Sequence, residues 1–502
     1  MFKLPLKING VGQQETDSNS FKEIQKAIND GILLHWLRAS KYKVLHILHN
    51  RPITSGCKNQ PGGTEFHVAD LIRMIPAAAH WSLSSTGREY CLTAHIPGCE
   101  REFYISRWDL DLSSLVNPEL FDIIHVHHTS KVDYDKLAES LLHHGRYFVS
   151  LHDFRLCCPN INLLTPEGRI CNGHECVGSC YRNVNDIKSL RATTRQVLQN
   201  ALAVFHFCDS TKDWFIKILG GEYPWKLMEH GIQLPEPDNT ISAAKDDFLK
   251  PSPDAPLKVA FLGVIALNKG AKLIRRLVKR DKLPSGIPIQ WHLIGMPSID
   301  LGSALIQHGR YERGELHKIM DSVSPHLVAI LSITPETYCF TFDEALACGI
   351  PVISTPLGAP AERLRRYQCG WIAERLSADG VLKTLEHVVD NWDEYRAIRR
   401  RIPGIPIKNA RDIAENYAEI YLAASLGGVR TGTDQLLHAV EQFRTCPMPP
   451  PPFSRRLAGH FMNACLSAMD IINVHSVTSK LAKRILPNSV TQKIIEMRQS
   501  VF

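Results

Sequence analysis

The feature that most constrains the fold of this chain is a regular alternation of short apolar runs with amphipathic stretches, which begins at Lys43. Four of these runs have the length and composition of buried strands, and helical patterns lie between them. They are KVLHILHN, DIIHVHH, RYFVSLHD and ALAVFHFCDS, at residues 43–50, 122–128, 146–153 and 201–210. Such alternation predicts a parallel sheet with helices on both of its faces.

The same alternation starts again after a segment rich in Ser, Asp, Lys and Pro, which predicts a linker at residues 240–256. The five strand-like runs of the second series are LKVAFLGVI, IQWHLIGM, HLVAILSI, IPVIST and GWIAE, which start at residues 257, 289, 326, 350 and 370. We therefore predict an α/β protein with two facing, doubly wound parallel-sheet domains, at residues 41–239 and 257–425. Open parallel sheets bind ligands beyond the carboxyl ends of their strands, so the crevice between the domains is the expected site.

The two ends of the chain fall outside these alternating regions. With 502 residues the chain is too long for one ordinary domain, and we interpret residues 1–40 and 426–502 as helical extensions of a two-domain protein. A proline-rich stretch precedes residues 451–502, which carry seven basic and two acidic side chains, a net charge of +5. We expect this tail either to contact an anionic membrane surface or to be a solvated helical appendage.

The sequence contains no apolar run that approaches the roughly 18 residues of a membrane span, and its first ten residues lack the apolar core of a secretory signal. We therefore expect a cytoplasmic protein, with peripheral contact at the inner face of the membrane through the basic tail. The net charge of +7 is mild for this length, and we expect no nucleic-acid partner.

Two glutamates, eight positions apart, flank a predicted helix start in the second domain. Glu336 follows the run HLVAILSI, and Glu344 lies within a helix that is predicted to begin near Thr341 and to end at Gly349. This helix start lies at the carboxyl end of a strand and faces the crevice. Its free amides and partial positive charge suit a phosphate, and carboxylates are good acceptors for sugar hydroxyls.

The stretch PETYCFTFDEALACGIPVIS resembles the Glu-x7-Glu motif of family-4-type retaining glycosyltransferases, and together with GAPAER it is similar to a bacterial subgroup that makes surface polysaccharides. The resemblance implies the GT-B fold and a nucleotide-sugar co-substrate. It further implies that Glu336 holds the transferred sugar and that Glu344 binds the ribose hydroxyls. The amides around Phe340 and Thr341 would face the diphosphate.

Each glutamate also has a simpler interpretation. Thr341 and Glu344 have the spacing of a capping box, in which the glutamate would accept a hydrogen bond from the threonine amide. Glu336 on its own would fit a solvated loop acid. The strand before the pair and the strand-like Gly-Ile-Pro-Val after it favour the functional interpretation.

A glycine-bounded loop follows the first strand of the second domain. The segment from Gly263 to Gly270, with Lys269 before the second glycine, resembles the family's Gly-x6-Gly loop and implies that Lys269 neutralises the leaving diphosphate. Most family members carry an arginine directly after the first glycine, where this chain has Val264. The alternative is a solvated lysine at a helix start.

The first domain contributes its own candidates for contact with the donor. Gly62 and Gly63 match the Gly-Gly-x-Glu turn of the family's acceptor-side domain, although a glycine pair also suits an ordinary turn. His152, at the end of RYFVSLHD, resembles the histidine that contacts the donor sugar, and His127 ends the preceding strand. Glu362, in GAPAER, aligns with a further family glutamate that we expect near the donor.

Four cysteines crowd one loop of the first domain: Cys158, Cys171, Cys176 and Cys180. Four thiolates can hold structural zinc, but the spacing is not that of paired Cys-x-x-Cys ligands. Reduced thiols and a local disulfide are the alternatives.

Taken together, the motifs predict transfer of a sugar from a nucleotide diphosphate to a hydroxyl of a glycan or lipid-linked glycan, with retention of configuration. We expect no cofactor and no catalytic metal. The alternative is a non-catalytic relative that binds nucleotide sugar or glycan and acts as an assembly partner, which the absent arginine and the added tail favour.

Overall fold

The structure is a computed structural model that describes residues 30–52, 62–165, 168–171, 173, 184–233, 249–426, 433–441, 443 and 445. The described residues form two sheets, one of eight strands and one of six, with helices packed on their faces. None of the helices in these ranges combines the length and the apolar character that crossing a membrane requires.

The first sheet contains eight strands in the order β4-β3-β2-β1-β5-β6-β7-β8. Its strands are Tyr42–Ile47 (β1), Ala78–Ser85 (β2), Glu89–Ala94 (β3), Arg101–Ser106 (β4), Ile123–Val126 (β5), Tyr147–Ser150 (β6), Ala203–His206 (β7) and Trp225–Leu227 (β8). At one edge β3 pairs antiparallel with both β2 and β4, and the remaining pairings are parallel. The prediction of a parallel sheet is confirmed for the part of the sheet that carries His127 and His152.

The second sheet contains six parallel strands in the order β11-β10-β9-β12-β13-β14. Its strands are Leu257–Ile265 (β9), Ile289–Pro297 (β10), Leu305–Gly309 (β11), Leu327–Ile330 (β12), Val352–Ser354 (β13) and Gly370–Ile372 (β14). The chain reverses its direction of progress across the sheet between β9 and β12, and ligands of doubly wound sheets bind at such a reversal.

Helices cover both faces of each sheet. Those of the first half of the chain are residues 30–39 (α1), Gly63–Met74 (α2), Leu112–Leu115 (α3), Tyr134–His144 (α4), Val184–Asn200 (α5) and Asp209–Leu219 (α6). Those of the second half are Ala271–Leu277 (α7), Leu316–Val323 (α8), Phe340–Ala347 (α9), Gly358–Tyr367 (α10), Ala378–Asp390 (α11), Trp392–Arg401 (α12), Ala410–Leu426 (α13) and Thr433–Glu441 (α14).

Helix α4 shows how local sequence sets these bounds. Its N-cap, Asp133, accepts a hydrogen bond from the Lys136 amide at 3.3 Å, which satisfies one of the free amides of the first turn. The helix ends at Gly145, which adopts a left-handed conformation with φ of 70°. Because both ends carry these local signals, the predicted bounds, 133–143, lie within one residue of the observed ones.

The last two helices, α13 and α14, pack on the first domain. The prediction instead placed α13 in the second domain, up to residue 425, and α14 in the tail. Tyr417 and Tyr421 of α13 are fully buried against β1, β5 and β6, and Leu436 of α14 joins the core on the opposite face of the same sheet. The two tyrosine rings are therefore buried by apolar side chains of the first sheet. The predicted extensions are therefore partly domain core, while the basic tail at 451–502 lies outside the described residues.

The two passages of the chain between the domains touch each other. Ile232, at the end of the first domain, pairs in parallel with Asn409. The Ile232 amide donates to the Lys408 carbonyl at 3.0 Å, and the Ala410 amide donates to the Ile232 carbonyl at 2.9 Å. The outgoing and returning segments therefore form a short hydrogen-bonded ribbon beside the crevice.

Candidate active site

A cavity of about 740 Å³ lies between the two domains, at the carboxyl ends of the strands. The first domain contributes Gly63, at the start of α2, and His152, after β6. The second domain contributes most of the predicted donor-site residues, which are Gly263, Lys269, Glu336, Phe340, Thr341 and Glu344. The structure thus brings these residues, from two domains and four separate chain segments, to one space.

The start of helix α9 forms part of the cavity wall. This helix begins at Phe340, and its N-cap, Cys339, provides no side-chain cap. Cys339 has φ of 156° and ψ of 92°, a conformation that is rare for a residue with a side chain and that tends to occur at functional sites. Because Thr341 lies inside the first turn, the interpretation of Thr341 as an N-cap with a capping box is wrong. Amides at this helix start remain suited to an anion.

Lys269 and Glu336 form an ion pair across the cavity floor. The second carboxylate oxygen of Glu336 accepts a hydrogen bond from the Ser332 hydroxyl. Burial lowers the pKa of Lys269, but the adjacent Glu336 carboxylate outweighs that effect and raises the pKa above its usual value. Lys269 is therefore a cation at neutral pH, and the side chain of Glu336 is only 9% exposed. The simpler interpretation of Glu336 as a solvated loop acid does not fit this arrangement, whereas the Lys269 side chain is ion-paired and still 39% exposed.

Glu344 lies one helical turn into α9 and is held by a residue from a different loop. The Tyr311 hydroxyl donates to its carboxylate at 2.8 Å. Arg363 and Asp343 form a buried ion pair between α10 and α9, with a second contact at 3.2 Å, which fixes the helix itself. The Glu344 carboxylate is thus positioned at the cavity by contacts on both sides of its helix.

Two glycines are required by the close approach of the walls. A Cβ atom on Gly63 would lie 2.8 Å from the Phe340 ring, so the start of α2 reaches α9 because this residue has no side chain. Gly263 has φ of 81°, which favours glycine, and its α-carbon faces Thr341. Gly62 instead belongs to a capping box, because its amide donates to the Glu65 carboxylate at 2.8 Å.

His152 lines the cavity, while His127 is buried behind it. Nδ1 of His127 lies 3.1 Å from Nε2 of His152, so the two predicted residues are in direct contact, one of them in the cavity wall. Burial, together with neighbouring histidines, lowers the pKa of both side chains well below the usual value. Both imidazoles are therefore neutral at pH 7.

Hydrogen bonds across the crevice come from residues that the sequence patterns did not single out. The Thr337 hydroxyl donates to the His152 carbonyl at 2.6 Å, and the Tyr338 hydroxyl donates to the His230 carbonyl at 2.7 Å. Both donors lie between Glu336 and Phe340, inside the motif that was read for its charges alone. The position of polar side chains within that loop was the available signal.

Glu362 does not line this cavity. It lies at a neighbouring cavity of about 490 Å³, where its carboxylate accepts hydrogen bonds from the Ser210 amide at 2.8 Å and the Asp209 amide at 3.2 Å. These amides open helix α6, whose N-cap, Cys208, supplies no side-chain bond. Glu362 thus caps a helix of the opposite domain, and its assignment to the donor site stays a prediction.

Replacing Glu362 with alanine tests that role. Because the loss of a helix cap costs about 1–2 kcal/mol, Glu362→Ala is expected to lower the free energy of unfolding by that amount, as measured by urea denaturation. The exposed Glu374, whose partner is Lys383, provides the control variant, Glu374→Ala, with little expected change. Unchanged stability in Glu362→Ala, with loss of ligand binding, would instead favour the donor-site assignment.

Two of the four loop cysteines lie in the described part of the chain. Cys158 and Cys171 are buried thiols, with 3% and 7% exposure, and Cys176 and Cys180 lie outside the described residues. The four-cysteine zinc site therefore stays a prediction.

The architecture is shared with solved structures of other proteins. A sucrose-phosphate synthase from Thermosynechococcus elongatus has 14% sequence identity and a TM-score of 0.52, over 77% of this chain and 100% of that chain. The Anabaena protein HepE, solved in complex with UDP, has 15% identity and a TM-score of 0.52, over 76% of this chain and 100% of that chain. The predicted fold, GT-B with two Rossmann-like domains, is confirmed.

The family comparison concerns the second domain. Residues 244–403 match the family described as "Glycosyl transferases group 1", and this range contains Lys269, Glu336 and Glu344. Among proteins with curated descriptions, none matches the sequence significantly. The chain is thus similar to this family over residues 244–403, and it shares the GT-B architecture with the solved structures.

Proposed function

We propose that this protein is a retaining glycosyltransferase of family-4 type, which moves a sugar from a nucleotide-diphosphate donor to an acceptor hydroxyl. The observation that carries the proposal is one cavity in which an anion-binding helix start, a lysine and two carboxylates face the glycine turn of the other domain. The match of residues 244–403 to group 1 glycosyltransferases supports it.

Each side chain has a task in the proposed reaction. The bond between the anomeric carbon and the diphosphate oxygen breaks, a bond to the acceptor oxygen forms, and the proton of the acceptor hydroxyl passes to an oxygen of the departing diphosphate. The α9 amides and Lys269 stabilise the charge that develops on the diphosphate. Glu336 accepts hydrogen bonds from sugar hydroxyls, Glu344 accepts those of the ribose, and His152 contacts the sugar.

Binding of the donor must break the Lys269–Glu336 pair that exists without it. The diphosphate would take over Lys269, and the sugar hydroxyls would take over Glu336. The exchange keeps both charges partnered, so the cost of separating the pair is offset when donor is present. No metal is needed for charge neutralisation in this scheme.

We extend the proposal to a glycan or lipid-linked glycan acceptor, in the manner of enzymes that make bacterial surface polysaccharides. The resemblance of residues 335–354 and of GAPAER to that subgroup supports this extension. A cytoplasmic protein with peripheral contact at the inner membrane face fits such an acceptor. HepE was solved with UDP and with UDP-glucose, which makes uridine nucleotide sugars the first donors to test.

A thermal-shift screen with UDP-, GDP-, dTDP- and ADP-sugars tests donor binding. A donor present at a hundred times its dissociation constant stabilises the fold by about 2.7 kcal/mol, so one class of nucleotide is expected to raise the melting temperature clearly. Lys269→Ala is expected to reduce the shift, whereas Glu312→Gln, on the exposed rim of the same cavity, is expected to preserve it. No shift with any donor would contradict the proposal.

The non-catalytic alternative is tested by donor hydrolysis. A transferase without acceptor slowly releases nucleoside diphosphate, whereas a binding protein does not. A donor-dependent thermal shift without any release, with or without acceptor glycans, would favour an assembly partner.

A further inference from the structure

Three histidines meet behind the cavity wall, and the proposed transfer reaction uses only one of them. They are His67 on α2, His127 after β5 and His152 after β6, which we call the histidine trio. One ring nitrogen from each lies within 4.8 Å of the others. His67 and His127 are buried, and His152 reaches the cavity.

One nitrogen of the trio has no hydrogen-bond partner within the described ranges. Nε2 of His67 is buried without a partner, and the side chain's other nitrogen, Nδ1, lies 3.1 Å from Nδ1 of His230. A buried polar atom without a partner costs about 1–3 kcal/mol. A ligand bound at this nitrogen would remove the cost.

The lone pair of His127 is fixed by a chain of hydrogen bonds that starts at a backbone carbonyl. The Ile75 carbonyl can only accept, so the proton of His80 lies on Nε2, 3.0 Å away. Nδ1 of His80 must then accept from Nε2 of His46, at 3.0 Å. A neutral imidazole has one donor and one acceptor, so each tautomer fixes the next.

The next link reaches the trio. Nδ1 of His46 accepts from Nε2 of His127 at 3.1 Å, which leaves Nδ1 of His127 as a lone pair directed at Nε2 of His152. Metal-binding histidines commonly donate their other N–H to such a partner, which orients the ring. Here His46 has that position for His127, and the nearest nitrogen to Nδ1 of His67 is Nδ1 of His230, at 3.1 Å.

A second group of histidines, formed by His46, His125 and His127, is less suited to a ligand. Both nitrogens of His125 already have partners, because one contacts the Tyr421 hydroxyl and the other lies 2.8 Å from the Ser150 hydroxyl. The unpartnered nitrogen of His67 therefore distinguishes the trio.

We propose that the histidine trio binds one divalent transition-metal ion, with zinc as the best match to three imidazole ligands. Zn²⁺ with nitrogen ligands at about 2.1 Å places those atoms roughly 3.4 Å apart in a tetrahedron. His127 and His152, at 3.1 Å, are already close to this spacing, and the His67 nitrogen lies within 4.8 Å of both. The ion would join α2 to the ends of β5 and β6, and its fourth position would be open to water.

The proposed ion does not carry the transfer chemistry, and its binding can be measured without any donor. It would, however, bind Nε2 of His152 and so place that ring's proton on Nδ1. The metal would therefore make Nδ1 of His152 a hydrogen-bond donor.

The test uses the full chain, stripped with a chelator and reloaded with Co²⁺ alone. We expect one tightly bound ion per chain and visible d–d bands of a tetrahedral site, without a thiolate charge-transfer band. Because losing an outer partner costs about 10- to 100-fold in affinity, His46→Gln is expected to weaken binding by that factor, and His67→Gln by more. The exposed His308, which pairs with His292 in the other domain, provides the control variant, His308→Gln, with unchanged binding.

Several outcomes would overturn the proposal. They are no retained ion, a thiolate band that assigns the ion to cysteines, or full binding by His67→Gln. Circular dichroism checks that each variant folds. If His67→Gln does not fold, the stoichiometry and spectrum of the unaltered chain, together with the affinity of His46→Gln, decide the question.

Discussion

Replacing Glu336 with glutamine is expected to reduce sugar transfer by about tenfold to a few hundredfold. The carboxylate is 9% exposed and accepts from Lys269 and Ser332, so the amide removes a charge-assisted hydrogen bond worth about 1.5–3 kcal/mol. Without its anion, Lys269 also loses its partner in the ligand-free protein. Steady-state rates of nucleotide release, at saturating donor and acceptor, measure the effect.

The matched control is Glu312→Gln, which changes the same group on the exposed rim of the same cavity and is expected to leave the rate unchanged. Lys269→Ala is expected to reduce the rate by a similar factor. The double variant is expected to lose less than the product of the two effects, because the residues are in contact. Full activity in both single variants would remove this site from the mechanism.

Lowering the pH from 7 to 5 is expected to destabilise the protein by about 6 kcal/mol through three of its buried histidines alone, a large part of the stability of an ordinary domain. Burial lowers the pKa of His80 to about 3, and that of His144 and of His326 to about 4. In the unfolded chain these groups bind protons near pH 6.5, whereas in the folded chain they do not. The free energy of unfolding is therefore highest above pH 6.5 and falls as the pH is lowered, by about 2 kcal/mol for each histidine at pH 5.

Urea denaturation at several pH values between 7.5 and 5 measures this loss. His144→Gln is expected to reduce the pH dependence of the unfolding free energy by about one proton, because glutamine does not titrate. The variant should still fold, since the glutamine amide can donate to the Phe121 carbonyl that Nε2 of His144 contacts at 2.9 Å. The exposed His438 provides the control, His438→Gln, with no change in slope. A stability that is constant from pH 7 to 5 would contradict the buried, neutral state of these side chains.

Much of the fold can be predicted from the sequence because the spacing of apolar residues indicates which positions are buried. The strands that carry the site, such as β9 and β12, are continuous apolar runs with glycine or polar residues at their ends, and they were predicted within a few residues. The Glu336–Glu344 pair is recognisable because a strand, a helix start and a second strand follow one another within residues 327–354. Signals of this kind are local, so one chain suffices to see them.

Other features depend on which segments the fold brings together. Nothing near Glu362 indicates that its carboxylate caps α6, since the capped amides are about 150 positions away in the chain. The aromatic face of α13 predicts burial but not that the burial is against the first sheet. The histidine trio joins residues 67, 127 and 152, and no local pattern indicates that these three side chains meet.

The ribbon formed by Ile232 and Asn409 determines which motions the crevice allows. Because the described end of the first domain and the returning chain are hydrogen-bonded side by side at this bridge, we expect the ribbon to act as a joint between the two domains. Such a joint would allow rotation about the ribbon more easily than sliding. Opening for product exit and closing over a donor would then be one rotation, which breaks or forms the contacts of Glu362 and Thr337 with the first domain.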